Sequence, residues 1–210
     1  MSARKIAVIA GASYFGIFFA AVYANFFVLQ SVMENPVAMV TYNGLQIRFA
    51  ILAFLVAAAL DVFVAWALYE LYREHTLSRI STYFRIMHAT IMGAAVFALV
   101  SILTLTTSKD ILAQINIFNT LWLIGLFFFG IHLALLSVII KNISTVPFIL
   151  LLAGIMYIAD TSAHFLLENY KEYASLFLTM VAVPSIFGEM SLAVWLLIKG
   201  GRGKPLRQTV

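Results

Sequence analysis

The chain has 210 residues, of which 63% are hydrophobic and only 10% are charged. A soluble domain carries about 25% charged residues, so this composition argues against a cytosolic enzyme, an extracellular module or a nucleic-acid binder and indicates an integral membrane protein. The formal net charge of +4 is read as an orientation signal in cytoplasmic loops. The chain has no cysteine, which excludes disulfides, thiolate metal sites and iron–sulfur clusters.

Apolar runs, taken in chain order, predict six membrane spans that can each cross about 30 Å of hydrocarbon. The spans are about 6–29, 46–72, 83–107, 117–140, 147–167 and 173–198. The connections are short except for residues 30–44, where Asn35-Pro36 and Asn43-Gly44 are turn signals. The whole chain, 1–210, is predicted to be one all-α domain, a polytopic bundle of six transmembrane helices.

The basic residues predict the orientation of the bundle. With a cytoplasmic N-terminus, ten of the 13 Lys and Arg residues lie on the inner side and three, Arg48, Lys109 and Lys171, on the outer side. The inner residues are Arg4, Lys5, Arg73, Arg79, Arg85, Lys141, Lys199, Arg202, Lys204 and Arg207. The positive-inside rule therefore predicts cytoplasmic N and C termini in a bacterial inner membrane.

Ionisable residues inside the predicted spans carry the functional argument. A charge at the bilayer centre costs about 2.5 to 3.5 kcal/mol on insertion scales, so each one needs a reason. The candidates are Asp61, His88, His132, Asp160, His164 and Glu189. At about 1.5 Å per residue, four of them come from four helices and share one layer near the midplane. Those four are Asp61, His132, Asp160 and Glu189.

This layer predicts a binding site that binds or moves a small solute or protons, because titrating carboxylates in a bundle mark such pathways. Tyr157 stands one turn before Asp160 on the same face of span five, and Ser185 shares a face with Glu189 in span six, just after Pro184. Both are added to the predicted site.

Two other interpretations of the layer stay open. One is a metal-dependent intramembrane enzyme of the hydrolase type, in which His132, Asp160, His164 and Glu189 bind a divalent transition metal such as Zn. The other is a structural or accessory subunit whose polar residues hold the helices in register. Retinal lacks a mid-span lysine for attachment, and haem lacks two histidines at matched depth, so neither cofactor is expected.

The apolar spans and their ionisable residues also predict the binding partners of the protein. The lipid bilayer is the first partner, and a lipid head group is a candidate ligand of Arg48 and Arg85, which are predicted near opposite membrane faces. A small molecule or proton is the expected ligand of the midplane layer. No nucleic-acid partner is expected, and assembly with further copies of the chain stays open.

Several short stretches, in this order, resemble a family of bacterial multi-pass membrane proteins, the domain of unknown function DUF4386. The stretches are Ile47-Arg48-Phe49, Asp61 to Tyr69, Phe84-Arg85-Ile86, Gly130-Ile131-His132-Leu133, Val146 to Gly154 and Glu189 to Gly200. The resemblance covers nearly the whole chain and implies a compact integral membrane protein without an established activity.

The resemblance also implies which polar positions are typical of the family. They are Arg48, Asp61, Tyr69, Arg85, His132 and Glu189. Asp160 and His164 belong to that pattern less clearly, so the resemblance weakens the metal hypothesis by removing two of its four proposed ligands.

Overall fold

The computed structural model describes residues 1–141, 143 and 145–202, and these form helices and short connections without a strand. Six helical segments are long and apolar enough to cross a membrane, which confirms the predicted all-α polytopic bundle. Two of the basic residues used to predict orientation, Lys204 and Arg207, lie outside the described residues.

The first span is an unbroken helical segment with a change of winding. It comprises α1 (Ala3–Val22), a π-helical segment (Tyr23–Leu29) and α2 (Gln30–Glu34). The connection after it is also helical, since α3 covers Pro36–Tyr42. The turn signals at Asn35-Pro36 and Asn43-Gly44 therefore mark helix boundaries, and the connection contains a helix that the turn signals alone do not predict. Pro36 starts α3 because its missing N–H is not needed in the first helical turn.

The remaining spans are single helices. They are α4 (Gly44–Tyr72), α5 (Ser78–Ile102), α6 (Ser108–Ile139), α7 (Val146–Leu166) and α8 (Tyr170–Ile198). The last of these continues through Pro184. The third and fourth spans begin and end earlier than the hydrophobic runs predict. The early start of α6 follows from its cap, since Thr107 Oγ1 accepts from the Asp110 N–H at 3.2 Å and donates to Asp110 Oδ2 at 2.7 Å.

The six spanning helices form a closed ring. Each packs against its neighbours in the chain, α1 directly against α4, and α1 also packs against α8. At the end that carries both termini, the Arg4 guanidinium donates to three carbonyls at the end of α8, those of Leu196, Leu197 and Gly200. These bonds satisfy carbonyls that a helix end leaves unpaired, so the first helix caps the last.

Two glycines allow α6 and α7 to touch along their backbones. A Cβ placed on Gly130 would lie 2.7 Å from the Gly154 carbonyl oxygen, and one on Gly154 would lie 2.6 Å from the Gly130 carbonyl oxygen. Small residues of this kind let membrane helices approach closely. Van der Waals packing then stabilises helix association, because the hydrophobic effect does not favour it within lipid. The contact fixes α6 beside α7 two residues before His132.

Candidate functional site

One buried guanidinium joins four helices. Arg85, two turns into α5, is 0% exposed. Its Nη2 atom donates to Asp61 Oδ1 of α4 at 2.5 Å, and its Nη1 atom donates to the Tyr14 hydroxyl of α1 at 2.9 Å and to Nε2 of His132 on α6 at 3.2 Å. A buried charge needs a partner of opposite charge and hydrogen bonds. The counterion and the hydrogen-bond acceptors of Arg85 lie on three other helices.

Two aromatic faces complete the surroundings of this cation. The Cζ atom of Arg85 lies 4.8 Å from the centroid of the Tyr14 ring and 5.2 Å from that of Phe129. Cation–π attraction of this kind is strongest when the pair is removed from water. Tyr14 therefore holds the guanidinium twice, through its ring and through its hydroxyl.

The contacts of His132 define its protonation state. Arginine has no acceptor, so the N–H of Arg85 Nη1 requires an unprotonated Nε2 on the imidazole. The proton of the neutral ring then sits on Nδ1, which lies 3.0 Å from the Ser81 carbonyl oxygen and 2.9 Å from the Ser81 hydroxyl. The structure thus holds His132 as a neutral acceptor for Arg85, fixed from behind by Ser81.

A second histidine lies beside the ion pair. Nε2 of His88 is 3.7 Å from Asp61 Oδ2, so one carboxylate is flanked by the guanidinium and by an imidazole. Among the side chains that the structure describes, Nδ1 of His88 and Nε of Arg85 are buried nitrogen atoms without a hydrogen-bond partner. Such orphaned atoms are uncommon in proteins and mark strain, chemistry or a bound water or ion.

We call this cluster the inner network, and its members are Tyr14, Asp61, Ser81, Arg85, His88 and His132. All are buried. Counted along their helices at about 1.5 Å per residue, they lie about 5 to 17 Å from the end of the bundle that carries the termini. Glu189 of α8 is half-buried at a similar depth.

The structure divides the predicted midplane layer into two. Asp61 and His132 meet through Arg85, with Glu189 at the same level. Asp160, by contrast, lies about 9 Å from the opposite end of α7 and accepts a hydrogen bond from the Tyr170 hydroxyl at 2.6 Å. The exposed His164 ring packs against Tyr170 with 4.7 Å between ring centroids.

The two polar residues added to the predicted site lie on α7 and α8. The Tyr157 ring packs edge to face against Phe129 with 5.7 Å between centroids, which places it beside the inner network. The Ser185 side chain is buried and donates to the Ala182 carbonyl at 3.2 Å in its own helix. Their part in ligand binding stays a prediction.

The geometry gives no support to the predicted metal site. His132 and Glu189 belong to one layer and Asp160 and His164 to the other, and across residues 1–141, 143 and 145–202 no group of three His, Asp or Glu residues is placed to hold a metal ion. His132 also has both ring nitrogens engaged by Ser81 and Arg85.

The two arginines predicted as head-group ligands differ in position. Arg48 is exposed near the start of α4, and its role with a lipid head group stays a prediction. Arg85 is 0% exposed and paired with Asp61, so the expectation that it reaches a head group is wrong. The predicted third span starts at residue 83, which puts Arg85 close to the helix end. The helix α5 instead starts at Ser78, so Arg85 lies about 10 Å from that end along the helix.

Sequence reasoning named Arg85, the residue at the centre of the site, but assigned it to the membrane surface. A usable signal was present, because Ser81, Arg85 and His88 are spaced four and three residues apart and so share one face of α5. A polar stripe on a membrane helix faces the bundle interior. Tyr14 carried no comparable signal, since a single tyrosine in an apolar helix is common at the membrane interface.

Tyr14→Phe tests the share of the hydroxyl in holding Arg85. The ring and its cation–π contact remain, while the acceptor for Nη1 is lost, so we expect a loss of about 1 to 3 kcal/mol in the free energy of unfolding. Unfolding in mixed detergent micelles measures it. Tyr42→Phe is the matched control, because Tyr42 is 83% exposed, and it should leave stability unchanged.

These observations define the class: a multi-pass membrane protein with a ring of six helices around a buried ionic network. The chain belongs to the family described as Domain of unknown function (DUF4386), whose model matches residues 9–200, so the resemblance drawn from the sequence is confirmed. An uncharacterised protein of Archaeoglobus fulgidus is 29% identical over 154 residues, which cover 72% of this chain and 84% of that protein. No solved structure matches the chain.

Proposed function

We propose that this protein moves protons across the bacterial inner membrane, alone or together with a small solute, and that the inner network is its proton-binding site. One observation supports this proposal more than any other. Asp61 and His132 are both acceptors of the same buried guanidinium, Asp61 as an anion and His132 as a neutral ring. A proton on Nε2 of His132 removes an acceptor from Arg85, and a proton on Asp61 removes the negative charge that balances Arg85.

Proton binding and the bridging position of Arg85 therefore exclude each other. A proton on Nε2 of His132 would place two N–H donors face to face across the 3.2 Å contact. A proton on Asp61 would remove the counterion of Arg85, and a buried cation without a partner is strongly destabilised. Because Arg85 and its two acceptors lie on three different helices, the loss of either contact links proton binding to helix packing.

Proton flux into liposomes tests the proposal. Purified protein is reconstituted with a pH-sensitive dye inside the vesicles, and the rate of acidification is measured after a pH gradient and a potassium diffusion potential are imposed. We expect Asp61→Asn to lower the protein-dependent rate at least tenfold, because the amide can still accept from Arg85 but has no carboxylate to take up a proton.

The matched control is Asp160→Asn, the same chemical change at an equally buried carboxyl group in the other layer. Asp61 is 5% exposed and Asp160 is 8% exposed. Asp160→Asn should keep most of the wild-type rate. A wild-type rate in Asp61→Asn, or equal losses in both variants, would contradict the inner network as the proton site.

The orientation belongs to the same proposal. The basic residues support cytoplasmic termini. A reporter that is active only in the cytoplasm, fused after Val210, should be active, and the same reporter inserted after Leu105, in the connection between α5 and α6, should be silent. The opposite result would contradict the proposed cytoplasmic termini.

A further inference from the structure

The end of the bundle that carries both termini has a shallow cavity on α1. It has a volume of about 500 Å³ and is lined by Met1, Arg4, Lys5, Val8 and Ile9. Two of these side chains are cationic and three are apolar. We call it the terminal cavity, and it is separate from the inner network.

The cationic and apolar residues of this cavity are ordered along α1. Arg4 and Lys5 lie in the first turn, at the expected membrane surface, while Val8 and Ile9 lie one turn deeper within the first apolar span. A ligand seated there would meet positive charge at its outer part and hydrocarbon at its inner part. A phospholipid with an anionic head group has this division of chemistry.

The fold brings further positive charge to the same place. Gly200 is buried against α1, since a Cβ on it would lie 2.8 Å from the Cβ of Ala7. Gly201 has a φ of +67°, a left-handed conformation that turns the chain over the start of α1. Lys199 precedes these glycines and Arg202 follows them, and both are exposed, so the chain brings their charge to the same end of the bundle as the start of α1.

The two cations that line the cavity have different tasks. The guanidinium of Arg4 is committed to the carbonyls of Leu196 and Gly200, each at 3.0 Å, so it builds the wall. The side chain of Lys5 is exposed and free to meet a ligand, as is that of Arg202. Basic side chains close to a membrane attract anionic lipids.

We propose that the terminal cavity is a binding site for an anionic phospholipid of the cytoplasmic leaflet, with Lys5 and Arg202 contacting the head group and Val8 and Ile9 contacting an acyl chain. The choice of the cytoplasmic leaflet rests on the proposed orientation, but the site does not rest on the proposed proton movement, because it involves different residues and a different ligand.

Native mass spectrometry of the full-length, delipidated protein in detergent tests this site with phosphatidylglycerol, against phosphatidylcholine as the neutral lipid. We expect the wild-type protein to bind phosphatidylglycerol in preference to phosphatidylcholine. Lys5→Gln/Arg202→Gln should bind phosphatidylglycerol at least roughly tenfold more weakly than the wild type. The control Lys109→Gln/Lys171→Gln removes the same charge from the opposite end and should bind like the wild type. Arg4 is left intact because its loss would also remove the cap of α8.

Three results would overturn the proposal. The first is equal weakening in the control variant, which would indicate net charge instead of a site. The second is unchanged binding in Lys5→Gln/Arg202→Gln. The third is displacement of the lipid by equimolar inorganic phosphate, which would indicate a phosphate site without a contribution from the acyl chain. A melting temperature of Lys5→Gln/Arg202→Gln equal to that of the wild type shows that the variant is folded.

Discussion

Asp61→Ala should lower the free energy of unfolding by about 3 to 5 kcal/mol, because it leaves the guanidinium of Arg85 buried without a counterion. Arg85 is 0% exposed and accordingly has no access to solvent that could replace the carboxylate. Equilibrium unfolding in mixed detergent micelles, followed by circular dichroism or tryptophan fluorescence, measures the loss.

The double variant Asp61→Leu/Arg85→Met separates an uncompensated charge from a merely enlarged cavity. Replacing both members of a buried ion pair by apolar groups is often neutral for stability. We expect it to regain at least half of the loss, while proton flux stays abolished. If it were less stable than Asp61→Ala, the cost would lie in packing and not in the orphaned cation. Glu34→Ala, at an exposed position, should change stability by less than about 0.5 kcal/mol.

Gly154→Ala should also be strongly destabilising, by about 1 to 3 kcal/mol or more. The new methyl group would lie 2.6 Å from the Gly130 carbonyl oxygen and 3.0 Å from the Ala134 backbone nitrogen. Both obstacles are backbone atoms, so neither can turn aside as a flexible side chain would. The helices must separate, which also moves His132. The same unfolding measurement gives the loss, and proton flux should fall with it.

Gly93 of α5 is the matched control for this substitution, because nothing lies within 4 Å of a Cβ placed there. Gly93→Ala should leave stability unchanged or raise it by up to about 1 kcal/mol, since alanine is the better helix former. Equal losses at Gly93 and Gly154 would show that the glycines matter for helix flexibility and not for contact between α6 and α7.

The spans and the helix class could be predicted because hydrocarbon imposes length and composition on a membrane helix. The first and last residues of each helix could be predicted less accurately. A hydrophobic run ends where polar residues begin, whereas α6 begins where Thr107 caps it. Helical structure in residues 30–44 was missed because Asn35 and Asn43 break the chain locally and still allow a helix between them.

The site could be predicted in part. Asp61, His132 and Glu189 were recognised because charge inside a span is costly wherever the helix faces. Counting along separate helices gives depth but neither rotation nor tilt, so it cannot show that Asp160 contacts Tyr170 while Asp61 and His132 meet at Arg85. Arg85 was assigned to the surface because depth was counted from hydropathy, which cannot show that α5 begins at Ser78.

The pairing of Arg85 with Asp61 also bears on how the protein enters the membrane during synthesis. Asp61 lies on the helix immediately before that of Arg85. When α5 leaves the ribosome, α4 has already been made and offers the carboxylate. The two helices can leave the translocation channel as a hairpin whose opposite charges neutralise each other, which removes much of the insertion cost of about 2.5 to 3.5 kcal/mol for each charge. His132 arrives later, so the ion pair serves assembly before the network is complete.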